Sequence, residues 1–172
     1  FAAESQLESY VQILIQVCNA LSYAHERQIV HRDIKPSNIM VGEFGEVYLL
    51  DWGIATPLPA PGEELPESSP TPVGTPAYMA PEMAAPTLAP LSPSTDVFLL
   101  GACLHELLTG QPPYPGARKL QVMLAAYQCE PLEYDWPIPE QLATIARRAM
   151  RREPSARYPD VTSFRQDLQD FL

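Results

Sequence analysis

Positive charge is scarce in this sequence: 11 Lys and Arg stand against 21 Asp and Glu in 172 residues, a formal net charge of −10 at pH 7. Nucleic acids and anionic bilayers are held by clustered Lys and Arg that neutralise phosphates, so neither is expected as a partner; a basic peptide or protein fits better, and the charge reads first of all as serving solubility alone. Cysteine is scarce too. Cys18, Cys103 and Cys129 are far apart and match no metal-ligand spacing, which predicts free thiols in a reducing compartment. Long apolar runs are missing: the stretch Val97 to Leu104 falls far short of the roughly 20 residues a bilayer requires, so no transmembrane span is expected. The opening FAAESQLESY has no basic stretch leading into an apolar one. It predicts an internal starting point in a cytoplasmic chain, not a secretory leader.

What is plentiful is proline, with 20 copies. The rest of the composition suits a soluble globular domain, and the length fits one domain over residues 1–172. From Gln6 to Glu26, apolar residues fall at Leu7, Tyr10, Val11, Leu14, Val17, Cys18, Leu21 and Ala24, the three-four spacing of a long helix burying one face. Two short apolar stretches, Ile39 to Val41 and Val47 to Leu50, flank Gly42 and Gly45 and read as a small hairpin. Between Thr56 and Pro93, the Pro, Ser, Thr, Glu and Ala content predicts a long loop, and a loop of that length inside a domain is usually functional.

A helix is then expected from Asp96, capped by Ser94 or Thr95 and stopped at Gly110, Pro112 and Pro113. Its first half, VFLLGACL, is apolar on every side and so predicts a central, fully surrounded post. Further helices are expected at Ala117 to Gln128, Glu140 to Arg151 and Val161 to Phe171. Few strands among at least five helices give a mainly α (α+β) fold with a small β-hairpin at one edge.

Residues His31 to Asn38 read HRDIKPSN, after a long helix and before a hairpin; DWG (Asp51 to Gly53), GTPAYMAPE (Gly74 to Glu82) and DVFLLG (Asp96 to Gly101) follow in order. These segments, with LTGQPPY and REPSARY beyond them, resemble the C-terminal lobe of a protein serine/threonine kinase. The approach YAHERQIVH and the loop HRDIKPSN are most similar to bacterial kinases of the eukaryotic type. The resemblance runs over essentially the whole chain. It implies a catalytic loop at 31–38, an activation segment at 51–82, and ATP and Mg²⁺ as cofactors.

By that resemblance Asp33 orients the substrate hydroxyl and accepts its proton, and Lys35 sets a point charge beside the γ-phosphate. Asn38 and Asp51 supply the hard oxygen ligands Mg²⁺ prefers, and Met40 lies at the floor of the adenine site. Lys35 and Thr75 point to Ser/Thr rather than Tyr as the acceptor. His31 and Asp96 are implied as internal struts, the lesser alternative for Asp96 being a plain helix N-cap. Glu82 and Arg157 are implied as a buried ion pair, a pairing that spacing could not have given. Arg32 implies control by a phosphate on the activation segment, with Ser68, Ser69 and Thr71 as candidates, though these also read as linker hydroxyls.

Two departures matter. Trp52 stands where the family carries Phe, and is expected to pack against the site with a larger ring. The chain also shows no Gly-rich loop, no VAIK-type lysine and no helix glutamate to pair with it. The expectation is therefore a kinase C-lobe without its N-terminal β-rich lobe, inactive alone and part of a larger Ser/Thr protein kinase. The alternatives are a non-catalytic kinase-derived scaffold module, a pseudokinase, or a small-molecule kinase sharing the fold.

Overall fold

Helix α1 (Ala2–His25) turns Val11, Leu14, Val17, Cys18, Leu21 and Ala24 inward at three-four spacing, each nearly or wholly removed from solvent. At roughly 1.5–3 kcal/mol for each fully buried large aliphatic side chain, that stripe fixes which face of α1 meets the core. The computed structural model describes residues 2–59, 72–134 and 137–172. After α1 come β1 (Ile29–Val30), β2 (Ile39–Val41), β3 (Val47–Leu49) and β4 (Thr56–Pro57). The helices α2 (Pro81–Ala84), α3 (Pro93–Thr109), α4 (Lys119–Gln128), α5 (Glu140–Ala149) and α6 (Val161–Phe171) complete the order. Short 3₁₀ turns lie at Pro36–Asn38, Pro76–Tyr78 and Pro154–Ala156.

The expected hairpin is β2–β3, antiparallel, with Met40 opposite Tyr48. Gly45 at its turn has φ 84°, a conformation glycine adopts without a Cβ clash. A second two-stranded pair, β1 with β4, lies inside the stretch expected to be loop at one end and was not foreseen. The same stretch also contains α2 and the turn at Pro76–Tyr78, so it is less irregular than its composition suggests.

Helix α3 is the central post. Every residue from Ser94 to His105 is buried, and α1, α5 and α6 pack around it. It starts earlier than expected, with Ser92 as N-cap and Pro93 in the first turn, where a missing N–H costs nothing. The Ser92 amide donates to Thr95 Oγ1 at 3.2 Å. Gly110 ends the helix in the left-handed conformation with its N–H on the Glu106 carbonyl at 2.7 Å. The other boundaries move little: α4 begins at Lys119 and α5 ends at Ala149.

Where α3 crosses α5, Gly101 sits so close that a Cβ there would lie 2.7 Å from the Ala149 Cβ and 2.9 Å from the Met150 Cγ. Gly101→Ala gains about 1 kcal/mol in helix propensity but forces the helices apart. A net loss of about 1–2 kcal/mol in urea unfolding is expected, and equal or higher stability would contradict the close crossing.

All three cysteines are free and buried, and burial pushes the Cys18 thiol up to about 12, so they are packing residues. Among the described residues no helix is long and apolar enough to cross a membrane.

Candidate active site

The site is built where the chain leaves α1 and turns under the β2–β3 hairpin. His31 and Arg32 follow β1, and Arg32 takes a left-handed backbone with φ 71°. That conformation is disfavoured for a residue with a Cβ, so it needs outside support. Asp96, wholly buried in the first turn of α3, provides it. Its Oδ2 accepts from the His31 amide at 2.8 Å and its Oδ1 from the Arg32 amide at 3.0 Å. A third partner, His25 Nε2 at the end of α1, lies 2.8 Å from Oδ2. The plain N-cap alternative for Asp96 thus fails, because its acceptors serve another segment and not its own helix.

His31 is a strut in two directions. Its Nδ1 accepts from the Asp33 amide at 3.1 Å, which places the ring proton on Nε2, 2.9 Å from the Leu50 carbonyl. The loop at 31–38 and the residue before Asp51 are therefore linked through one imidazole. A backbone bond from Leu50 N to the Asn38 carbonyl at 2.8 Å adds a second tie.

Four of the expected residues converge. Lys35 Nζ lies 2.7 Å from Asp33 Oδ2 and 2.7 Å from Thr75 Oγ1. The Thr75 hydroxyl donates to Asp33 Oδ1 at 2.6 Å, closing a triangle between the loop at 31–38 and the GTPAY segment. Asn38 Nδ2 donates to the Asp33 carbonyl at 2.8 Å and to its Oδ2 at 3.1 Å. Burial works to raise the Asp33 carboxyl. The bonds from Lys35, Thr75 and Asn38 and the Lys35 charge outweigh it and hold Asp33 below its ordinary value. A carboxylate has about four acceptor positions and three are taken here, so one remains.

Asp51 is exposed at the end of β3, also left-handed, with φ 58°. Among the described residues its Oδ1 has only a long contact, 3.4 Å, from the Gly53 amide. Among the described residues both Asn38 side-chain contacts use the amide nitrogen, leaving its Oδ1 as an acceptor. Among the described residues no three His, Cys, Asp or Glu side chains cluster as a self-sufficient metal cage. Two hard oxygens on tied segments suit Mg²⁺, which takes its other ligands from phosphate and water. Met40, on β2, is half-exposed.

Farther out, Glu82 and Arg157 form a buried two-pronged pair, Nη1 to Oε1 at 2.7 Å and Nη2 to Oε2 at 2.8 Å. Ser68, Ser69 and Thr71 lie outside the described residues. Arg32 Nε is buried with no partner among the described residues, and burial lowers the guanidinium pKa against the opposing Asp96 charge.

Several contacts have no counterpart in the sequence reading. Tyr78 Oη donates to Glu106 Oε2 at 2.6 Å, pinning the GTPAY segment to α3. Gly74, at φ 128°, passes so near Arg32 that a Cβ would lie 3.2 Å from the Arg32 carbonyl. His25 carries no signal beyond ending an amphipathic helix.

A family model described as the protein kinase domain matches residues 3–171. The serine/threonine-protein kinase PknD of Chlamydia abortus is 33% identical over an alignment that takes in 99% of this chain and 20% of the relative. PknD of Protochlamydia amoebophila is 31% identical, over 94% of this chain and 18% of the relative. PknB of Mycolicibacterium smegmatis is 32% identical, over 92% of this chain and 25% of the relative. The chain thus spans about a fifth to a quarter of the length of these curated relatives.

Proposed function

The chain belongs to the protein kinase family, and from that premise we propose that it is the C-terminal catalytic lobe, residues 1–172, of a kinase that phosphorylates Ser or Thr on protein substrates. The observation that carries this reading is the Asp33–Lys35–Thr75 triangle, closed at 2.6–2.7 Å with one acceptor position of Asp33 left open. A substrate hydroxyl donating to that position is oriented by a carboxylate that cannot swing, since three bonds fix it. Asp33 then takes the hydroxyl proton as the oxygen becomes nucleophilic.

Lys35, already beside Asp33, places its charge where a transferring phosphoryl group needs neutralising. Asn38 Oδ1 and Asp51 would hold Mg²⁺, and Met40 would lie under the adenine of ATP. When bound, the ion screens phosphate charge and the nucleotide supplies the phosphoryl group. Thr75 ties the activation segment, 51–82, to the loop at 31–38, so substrate-binding backbone and catalytic carboxylate move together. The excess of acid over base in the chain favours a basic stretch in the substrate. A cytoplasmic setting fits ATP as phosphoryl donor and the free thiols.

Asp51→Ala in the complete kinase tests the metal reading. It is expected to weaken magnesium-dependent ATP binding about tenfold or more, measured by titrating ATP with and without Mg²⁺. Unchanged metal dependence would remove Asp51 from that role. In this reading the 172 residues alone would offer one side of a nucleotide site. With little of the ligand buried, Kd stays above the nucleotide concentration and no thermal shift is expected with magnesium and ATP. A saturable shift would overturn the claim that this chain needs a second lobe.

A further inference from the structure

Trp52 is the one residue of the magnesium triplet that departs from the family pattern, and its contacts go beyond packing. We propose that Trp52 is a positioning residue whose indole N–H clips the Asp51 turn closed, holding Asp51 in its left-handed conformation. The indole Nε1 donates to the Leu49 carbonyl at 2.9 Å, three residues back, so the bond closes a ring of chain around Leu50 and Asp51. Leu49 itself is fixed, paired with Ile39 in the hairpin. On the far side the Trp52 carbonyl accepts from the Ala55 amide at 3.1 Å. Asp51 is therefore caught between two anchored points.

The ring has a second contact. Its centroid lies 4.6 Å from that of His31, at an interplanar angle of 67°, an edge-on arrangement aromatic rings favour. His31 in turn binds the Leu50 carbonyl and the Asp33 amide. One side chain thus braces the metal-side carboxylate against the same imidazole that supports the proton acceptor. Trp52 remains 39% exposed, so burial alone does not hold it in place. The directed N–H bond does, and phenylalanine has no group to make it. The left-handed φ of 58° at Asp51 is uncommon for a residue with a Cβ, although aspartate tolerates it better than most, and the indole bond adds to that tolerance.

The inference rests on the proposed role of Asp51 only for its catalytic consequence, and the clip itself can be tested without nucleotide or metal. Hydrogen exchange of the indole protons, read by NMR on the unmutated chain, gives two signals, from Trp52 and Trp136. Loss of one in Trp52→Phe assigns it, and Trp136→Phe serves if that variant does not fold. A hydrogen bond of ordinary net strength slows exchange about five- to tenfold relative to free tryptophan. Backbone amides 50–55 are expected to exchange about fivefold faster in Trp52→Phe, with those of α3 unchanged.

Exchange of the Trp52 indole at the free rate would overturn the proposal. So would unchanged amides at 50–55, or acceleration spread evenly over the chain, which would mean lost stability and no clip. In the complete kinase, Trp52→Phe is expected to raise KM for magnesium-ATP about fivefold with a smaller change in kcat. An unaltered KM would overturn the positioning role. Unaltered metal dependence in Asp51→Ala would instead overturn the reading of Asp51.

Discussion

Asp33→Asn in the complete kinase is expected to lower kcat by about 10²–10⁴-fold while leaving ATP affinity nearly intact. In the proposed role the carboxylate acts on the acceptor hydroxyl and not on the nucleotide, so the loss belongs in the transition state. Asparagine keeps the shape but offers one acceptor oxygen where the carboxylate offers two. Lys35, Thr75 and Asn38 all donate to that carboxylate in the native site. The amide cannot satisfy them all and cannot take the proton. Steady-state transfer to a Ser/Thr substrate, with ATP binding measured separately, decides the matter. Transfer near the wild-type rate would remove Asp33 from the chemistry, and a matching loss of ATP binding would mean that the site had collapsed.

Arg157→Ala is expected to damage the fold severely, costing about 4–5 kcal/mol against about 3 for Glu82→Ala. Both side chains are essentially removed from solvent, so either truncation strands the other charge. The asymmetry follows from the remaining partners. Without Glu82, the guanidinium keeps the carbonyls of Ser94, Arg151 and Arg152 as acceptors. Without Arg157, the Glu82 carboxylate keeps only the Thr95 hydroxyl among the described residues, at 2.9 Å. The arginine also stacks 4.8 Å from the Phe98 ring centroid, so its removal opens a gap beside the central helix. At roughly 2–4 °C per kcal/mol for a domain of this size, Tm falls by about 10 °C or more. Urea unfolding of the two variants and the double variant gives the comparison, and a loss below about 1 kcal/mol for Arg157→Ala would show the pair to be dispensable.

How legible the molecule was depended on whether a feature lay in one stretch of chain. Helix α3 could be read because an all-round apolar segment has no stable place except inside. Its start could not, since Pro93 reads as the last breaker of a proline-rich loop as easily as the first residue of a helix. The β1–β4 pair left no trace because two residues carry no period, and Pro57 lacks the amide that a strand residue normally shows. The site residues were named by contiguous motifs and the family they resemble. The geometry that brings Thr75 to Asp33 across 42 positions was not in the text of the chain. Likewise Trp52 was expected only to pack, because composition says nothing of where an indole proton finds an acceptor. His25 was missed altogether, although it shares Asp96 with the loop it helps to hold.

Asp96 also couples two timescales. The two amides it holds, at His31 and Arg32, are anchored to a carboxylate embedded in a helix that is buried from Ser94 to His105. Local opening of the loop at 31–38 must therefore either break charge-assisted bonds inside the core or wait for α3 to come apart. Reaction geometry and global unfolding are thereby placed on one cooperative unit. Substitutions far from the site that loosen α3 should thin the population of working molecules without changing how well each one works, so that a damaged kinase of this build fails by headcount and not by workmanship.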